Sequence, residues 1–324
     1  MTVFPQDLAD LEADLLKRLD AVEDLLRAEI ASDYELADIT ARHLVEAGGK
    51  RFRPLLVLLA AQFGDPDSPG VIPAAVVVEL THLATLYHDD VMDEADVRRG
   101  AQSANSRWGN TVAILSGDFL FARSSKILAD LGPEAVRVQA QTFERLVVGQ
   151  LRESVGPQSG EDAVQHHLEV LSDKTGSLIA AAGRYGAMMS GVDTATTDAI
   201  AEFGECVGVV FQLSDDLLDI ESEVSGKTPG TDLREGIKTL PVLLALQDET
   251  TSDELRELLS RPLPNDEEHS RALSLLRAHP AMDSARNVLN EWADRARALL
   301  SNLPESQARQ ALNVLIDSVT DRKI

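Results

Sequence analysis

Residues 71–92 read VIPAAVVVELTHLATLYHDDVM, and the fold class turns on how this stretch is read. Its first ten residues, VIPAAVVVEL (71–80), come nearest in the chain to a period-2 strand. They have no strand partner across a turn, and they run straight on into a helical pattern. Apolar positions recur at three- and four-residue spacing through 72–92. The same period fills 8–30, 36–47, 111–131, 134–155, 194–221, 236–247, 280–300 and 305–319. The expectation is an all-α chain, a single domain over 1–324 built as a bundle of roughly a dozen helices around a central cavity. Segments 72–92, 174–190 and 194–221 are apolar on most faces, which marks them as central helices.

The quoted stretch runs into Asp89-Asp90-Val91-Met92-Asp93, and the same pentad recurs as Asp215-Asp216-Leu217-Leu218-Asp219. Residues four apart share a helix face, so Asp89 sits over Asp93 and Asp215 over Asp219. Like charges at that spacing repel when nothing binds them. Most acidic runs are solvated faces. At an Asp usage of about 1 in 12, however, a chain of this length holds about 0.2 such pentads by chance. Two copies, each after an apolar helix, point to a bound multivalent cation. Carboxylate donors with no Cys or His between them suit Mg²⁺, which completes its shell with water and substrate phosphates.

The chain has 324 residues, 44% of them hydrophobic, enough for a large core. No linker, repeat or low-complexity segment interrupts it. The net charge of −24 argues against a nucleic-acid binder or a polybasic membrane anchor. Bound divalent cations would still admit an anionic substrate, because they invert the local field. The one cysteine, Cys206, excludes an internal disulfide and a Cys-based zinc site; its neighbours read it as a small buried hydrophobe. The first twenty residues lack the basic and apolar regions of a signal peptide. No apolar run reaches 18 residues, so no membrane span is expected and the cytoplasm is the default.

Cations cluster in separate places. AGGKRFRP (47–54) sets Lys50, Arg51 and Arg53 behind Gly48-Gly49, with Pro54 in the first turn of the next helix. Arg98-Arg99 follow Asp93 by five residues, and their planar forks suit phosphate oxygens. Lys174-Thr175 open a central helix in SDKTGSLIAAAGRYGA, where a Lys is out of place unless it meets a polar cavity. Lys227 and Lys238 flank a loop carrying Gly226, Gly230 and Gly236, a candidate lid.

Taken together these residues resemble the trans-polyprenyl diphosphate synthases, the head-to-tail isoprenyl chain elongases. The resemblance runs in order from about residue 35 to 248: GGKRFRP, ELTHLATLYHDDVMDEADVRRG, GNTVAILSGDFL, SDKTGSL, FQLSDDLLDI and GKTPGTDLREGIKTLP. It implies the isoprenoid synthase fold and a homodimer. It implies Mg²⁺ ligation by Asp89, Asp93 and Asp215, with Asp219, Asp90 and Asp216 beside them. Arg98, Lys174, Thr175, Gln212, Lys227 and Lys238 resemble the group around an allylic diphosphate. Lys50, Arg53, His82 and Arg99 resemble the site for isopentenyl diphosphate. The end of the chain, residues 321–324, only loosely resembles the basic tail of some members, and Tyr87 and His88 have no role in the resemblance.

The implied reaction is an electrophilic prenyl transfer, with transient membrane contact for product release. Product length is expected to depend on Ala84 and Thr85, one turn before Asp89. Some short-chain members carry a bulky aromatic there. Small side chains favour a product longer than farnesyl, of the medium- or long-chain kind that supplies quinone side chains. A geranylgeranyl diphosphate synthase is the alternative, since Phe119, Leu120 or a neighbour could set a nearer floor. A class I terpene cyclase, or a silent subunit of a heteromeric synthase, would lack the second diphosphate site or one pentad. A di-iron bundle needs two Glu-x-x-His motifs, and only Glu79-Leu80-Thr81-His82 fits.

Overall fold

The computed structural model describes residues 4–221 and 229–320. Within them the chain is helical almost throughout. The helices are α1 (Ala9–Ile30), α2 (Glu35–Glu46), α3 (Phe52–Ala61), α4 (Val71–Met92), α5 (Ala104–Trp108), α6 (Asn110–Leu131), α7 (Pro133–Val155) and α8 (Ala163–Leu171). After these come α9 (Ser177–Met189), α10 (Thr194–Glu221), α11 (Thr231–Glu235), α12 (Leu240–Gln247), α13 (Asp253–Leu258), α14 (Asp266–Arg277), α15 (Ala281–Ser301) and α16 (Gln307–Thr320). One π-helical turn, Ser172–Gly176, joins α8 to α9.

The periodic segments of the sequence are all helices, and 71–80 is the first half of α4. Among the described residues the helices outnumber the expected dozen, partly because short ones such as α5, α11 and α13 occupy stretches with too few turns to show a period. Two two-residue strands, β1 (Val97–Arg98) and β2 (Ala101–Gln102), pair antiparallel where no strand is expected. They are a tight hairpin that carries Arg98 and Arg99. By length and composition α4 is apolar enough to cross a membrane, although His82 and Glu79 interrupt its apolar run; 72% of its most apolar window is buried inside the protein.

The chain divides into two compact units. The first comprises 1–143, 178–202 and 302–312; the second comprises 144–177, 203–301 and 313–324. In the first, α1 buries Leu11, Leu15, Leu19, Val22, Leu26 and Ile30 along one stripe. Each such side chain contributes about 1.5–3 kcal/mol of burial. Helix α3 is buried from Pro54 to Ala61. Helix α9 crosses it where Gly186 leaves no side chain: a β-carbon there would lie 2.1 Å from the Val57 carbonyl oxygen. Helix α6 meets α4 in the same way at Gly117, where a β-carbon would lie 2.4 Å from His88 Nε2 and 3.0 Å from the Ala84 carbonyl oxygen.

The second unit is built on the C-terminal part of α10, whose Phe203, Val207, Val210, Leu213 and Ile220 are fully buried, and on the apolar faces of α12, α14 and α15. Cys206 is buried there, as its neighbours imply.

Candidate active site

The first carboxylate set closes α4. Asp93 is the residue that caps its C-terminal end, with its amide on the Asp89 carbonyl at 2.8 Å. Asp89 and Asp93 therefore follow one another along one face, and Asp93 is exposed. Asp90 points the other way and is fully buried. Its Oδ1 accepts Nε of Arg98 at 2.6 Å, and Oδ2 is buried without a hydrogen-bond partner. Burial pushes the Asp90 carboxyl up, against the pull of Arg98. Arg98 also lies 4.0 Å from the Asp93 carboxylate.

The basic set of the same unit is made by two turns. In the 47–51 turn Gly48, Gly49 and Arg51 all have positive φ, and Arg51, a non-glycine, sits at 47°. In the hairpin turn Arg99 sits at 53°. Left-handed backbone is costly for such side chains and clusters at functional sites. Arg51 is tied down by Glu23, by Glu79 at 2.9 Å and by the Val45 carbonyl oxygen at 3.2 Å. Arg99 donates to the Leu44 carbonyl at 3.1 Å and to that of Gly48. A β-carbon at Gly49 would come within 2.9 Å of one guanidinium and 3.0 Å of the other.

Arg53 and His82 complete the set. Arg53 Nε is buried without a hydrogen-bond partner. Burial pushes the Arg53 guanidinium down to about 10, with Arg99 adding to the shift and Glu79 opposing it. His82 is held well below its ordinary value, first by burial and then by Arg53, Arg99, Arg51 and Arg98. Four guanidinium groups thus act on one imidazole, while Glu79 is the buried carboxylate among them. Lys50 is exposed at the rim of the turn. Clustered, partly buried positive charge with an unpaired donor is what an anion site requires.

The second carboxylate set lies on α10. Asp216 is buried and its Oδ2 accepts His167 Nε2 at 3.0 Å and the Leu240 amide at 3.2 Å. Asp219 accepts the amides of Thr231 at 3.1 Å and Asp232 at 3.2 Å, capping α11. Asp215 lies one turn before it, and Gln212 one turn before Asp216, both partly exposed. Lys174 and Thr175 occupy the π-helical turn, with Lys174 paired to Glu153. Lys238 is exposed just before α12. Lys227 and Gly226 lie outside the described residues.

A polyprenyl synthetase model matches residues 35–276. The chain belongs to the polyprenyl synthetase family. It is 50% identical over 306 residues to nonaprenyl diphosphate synthase of Mycobacterium tuberculosis strain H37Rv, covering 93% of this chain and 91% of that one. The geranylgeranyl pyrophosphate synthase of Corynebacterium glutamicum, solved with calcium and isoprenyl diphosphate, superposes with a TM-score of 0.88 at 46% identity and covers 97% of each chain. A decaprenyl diphosphate synthase from Rhodobacter capsulatus superposes with a TM-score of 0.88 at 34% identity, covering 98% of this chain and 99% of that one. This polyprenyl synthetase is therefore an enzyme, a prenyltransferase of the trans-polyprenyl diphosphate synthase type with the all-α isoprenoid synthase fold.

Several residues of this polyprenyl synthetase were not singled out from its sequence. Tyr87, without a role there, donates to the Thr40 carbonyl and accepts from the Leu44 amide at 3.3 Å, fixing α2 to α4 below the basic turn. His88 faces the Ile114 carbonyl at 3.1 Å and packs on Phe121. It stands at one end of an apolar cavity of about 470 Å³ that runs between α6 and α7 past Phe121, Leu128, Gln139, Ala140 and Phe143. Ala84 and Thr85 are buried one turn deeper on α4 than His88 and do not line that cavity. Thr81, a turn further, accepts Gln139 Nε2 at 2.8 Å. His167 belongs to no motif, and only its contact with Asp216 reveals it.

Proposed function

We propose that this enzyme condenses isopentenyl diphosphate head-to-tail onto an allylic diphosphate, giving an all-trans polyprenyl diphosphate longer than farnesyl, for a quinone side chain. The observation that carries the reading is the crowding of cations at the two turns: a β-carbon at Gly49 would meet the Arg51 and Arg99 guanidinium groups at 2.9 and 3.0 Å, and Arg53 Nε is buried without a hydrogen-bond partner, so a diphosphate is the ligand that balances them. Lys50, Arg53, His82 and Arg99 hold isopentenyl diphosphate. Arg98, Lys174, Thr175, Gln212, Lys227 and Lys238 serve the allylic diphosphate. Residues 1–324 act as one catalytic domain in a cytoplasmic homodimer that touches membrane transiently on product release. Exposed Ile114 and Leu115 on α6 support a partner helix.

Among the described residues no three His, Cys, Asp or Glu side chains form a metal-binding group by themselves. That fits Mg²⁺, which takes one or two carboxylates and leaves the remaining positions to water and phosphate. Asp89 and Asp93 would hold one ion on α4, and Asp215, with Asp219 beside it, another on α10. When bound, the metal supplies neutralisation of charge on the leaving diphosphate. The chain's own cations share that task. The allylic C–O bond breaks with its electron pair on pyrophosphate, and the double bond of isopentenyl diphosphate forms the new C–C bond. The proton lost from the adjacent carbon goes to pyrophosphate, so no side chain acts as nucleophile.

The apolar cavity beside His88 suits a growing chain; Ala84 and Thr85, which lie outside its lining, are small and put no aromatic side chain on α4 one turn before Asp89. The edge contact of Phe121 with Phe143, at 4.5 Å between ring centres, favours a second reading, geranylgeranyl diphosphate synthase. Chromatography of products from labelled isopentenyl diphosphate with dimethylallyl, geranyl and farnesyl diphosphates decides between them. No incorporation with any of the three primers would remove the whole proposal.

A further inference from the structure

The π-helical turn Ser172–Gly176 carries an extra residue inside an otherwise continuous helix, with the Ser177 amide on the Ser172 carbonyl. Such turns form only where surrounding contacts hold them, and they are frequent at functional sites. Here the contacts converge on one side chain, Arg145 of α7. Its Nε donates to Asp173 Oδ1 at 2.8 Å. Its Nη2 donates to Ser172 Oγ at 3.1 Å and to Glu205 Oε1 at 3.0 Å, and its Nη1 donates to Glu205 Oε2 at 3.0 Å. Ser172 Oγ in turn donates to Glu205 Oε1 at 2.5 Å. The guanidinium uses all three nitrogens, and only a planar fork can do so.

Glycines let the flanking helices close on the turn. A β-carbon at Gly149 would lie 2.7 Å from the Lys174 amide nitrogen, and one at Gly176 would lie 3.2 Å from the Glu205 carbonyl oxygen. Burial pushes Glu205 up, but the hydrogen bonds from Arg145 and Ser172 outweigh it and hold the carboxyl below its ordinary value. The pair is therefore ionised throughout the working range. None of these bonds involves the side chains of Lys174 or Thr175, which project from the turn that the bonds fix.

We infer that Arg145 and Glu205 are positioning residues: together they lock the π-helical turn in the one register that presents Lys174 and Thr175 to the allylic diphosphate. The inference rests on the assignment of Lys174 and Thr175 to that substrate. A distorted turn would displace the lysine by an ångström or more, and misplacement on that scale costs about 100-fold in rate.

The test is steady-state kinetics of Arg145→Lys and of the double variant Arg145→Met/Glu205→Met, each alone and with Lys174→Ala. The double variant exchanges a half-buried ion pair for apolar side chains of similar length, which leaves neither charge without its partner. Arg145→Lys keeps the charge but not the fork, so it serves even where the double variant melts early. Both are expected to lower kcat by about 100-fold and to raise KM for farnesyl diphosphate roughly tenfold. KM for isopentenyl diphosphate stays at the wild-type value. In the Lys174→Ala background the same changes cost no more than about twofold, because the group they position is gone. Losses that multiply in full, equal rises in both KM values, or a wild-type Arg145→Lys would overturn the positioning role alone. A Lys174→Ala enzyme with normal allylic kinetics would overturn the assignment beneath it.

Discussion

The carboxylate of Asp90 accepts Nε of Arg98 at 2.6 Å while its other oxygen is buried without a hydrogen-bond partner. The middle aspartate of the first pentad is thus a strut for a cation, turned away from the face that Asp89 and Asp93 share. Asp216 repeats the arrangement in the second pentad with His167 at 3.0 Å. Asp90→Asn keeps the shape and removes the charge. Turnover should fall about 10–100-fold, with the Mg²⁺ concentration for half-maximal activity unchanged. A shift of that midpoint in step with turnover would make Asp90 a ligand instead.

Asp89→Ala and Asp215→Ala should be far more damaging, with turnover lower by roughly 10³-fold or more and the fold intact. Without metal, Asp89→Ala should melt slightly above the wild type, since the repulsion between Asp89 and Asp93 is removed. Asp219→Ala should behave differently, because Asp219 caps α11; it should lose about 0.5–2 kcal/mol of stability. Denaturant melts in EDTA, together with EDTA-inhibition assays, read both effects. Full wild-type activity in EDTA would exclude the metal.

Arg53, pushed down by burial to about 10, gives the proposed isopentenyl diphosphate site a pH limit. The sign follows from the charge: the guanidinium is cationic below that value and loses its proton as pH rises through it. KM for isopentenyl diphosphate should climb as pH approaches about 10, by more than KM for the allylic substrate does. Lys50→Ala and Arg53→Ala should raise the former chiefly, and Arg53→Ala should also abolish its climb. Lys227→Ala should harm the allylic step instead. A rise in only the allylic KM for Lys50→Ala would reverse the two sites.

Glu205 predicts an acid limb. Its folded value is depressed, so its contribution is present above the ordinary carboxylate value of 4.5 and is lost as pH falls through the lower folded value. Glu205→Gln should therefore flatten the loss of stability below about pH 4.5, measured as urea midpoints from pH 6 downward. An unchanged slope would mean that the pair with Arg145 does not form in solution.

Product length can be moved from two sides. Thr85→Phe and Ala84→Tyr should shorten the product to farnesyl or geranylgeranyl diphosphate. Ala84 is fully buried where Gly117 brings α6 close, so its variant should also cost about 1–3 kcal/mol by overpacking. Phe121→Ala, which opens the cavity between α6 and α7, should lengthen it. Variants at Thr85 and Phe121 that both leave the product unchanged would place the growing chain elsewhere.

The helices, the pentads and the basic turns were legible because each leaves a local mark: a period, a repeated spacing, a glycine pair. What the sequence hid depends on contacts across long separations. Nothing near His167 announces Asp216, forty-nine residues on. Arg145 sits in an ordinary amphipathic helix, sixty residues from Glu205. The two kinds of aspartate within a pentad are spelled alike, and only helix packing decides which one turns inward. The cavity wall at Phe121 and Phe143 was missed for the same reason, since neither aromatic breaks the period of its helix.

Arg51 and Arg99 both hold left-handed backbone, at φ of 47° and 53°, a conformation that asparagine or glycine would adopt at less cost. The enzyme thus keeps part of its conformational strain in the turns that carry its arginines. Replacing Arg51 would relieve about 1–2 kcal/mol of backbone strain but would leave the buried Glu79 without its partner at 2.9 Å, a larger loss, so the side-chain bonds hold the strained turn in place. Adaptation of this scaffold to higher temperature must therefore come from the helices of the core, leaving the two arginine turns as its least improvable parts.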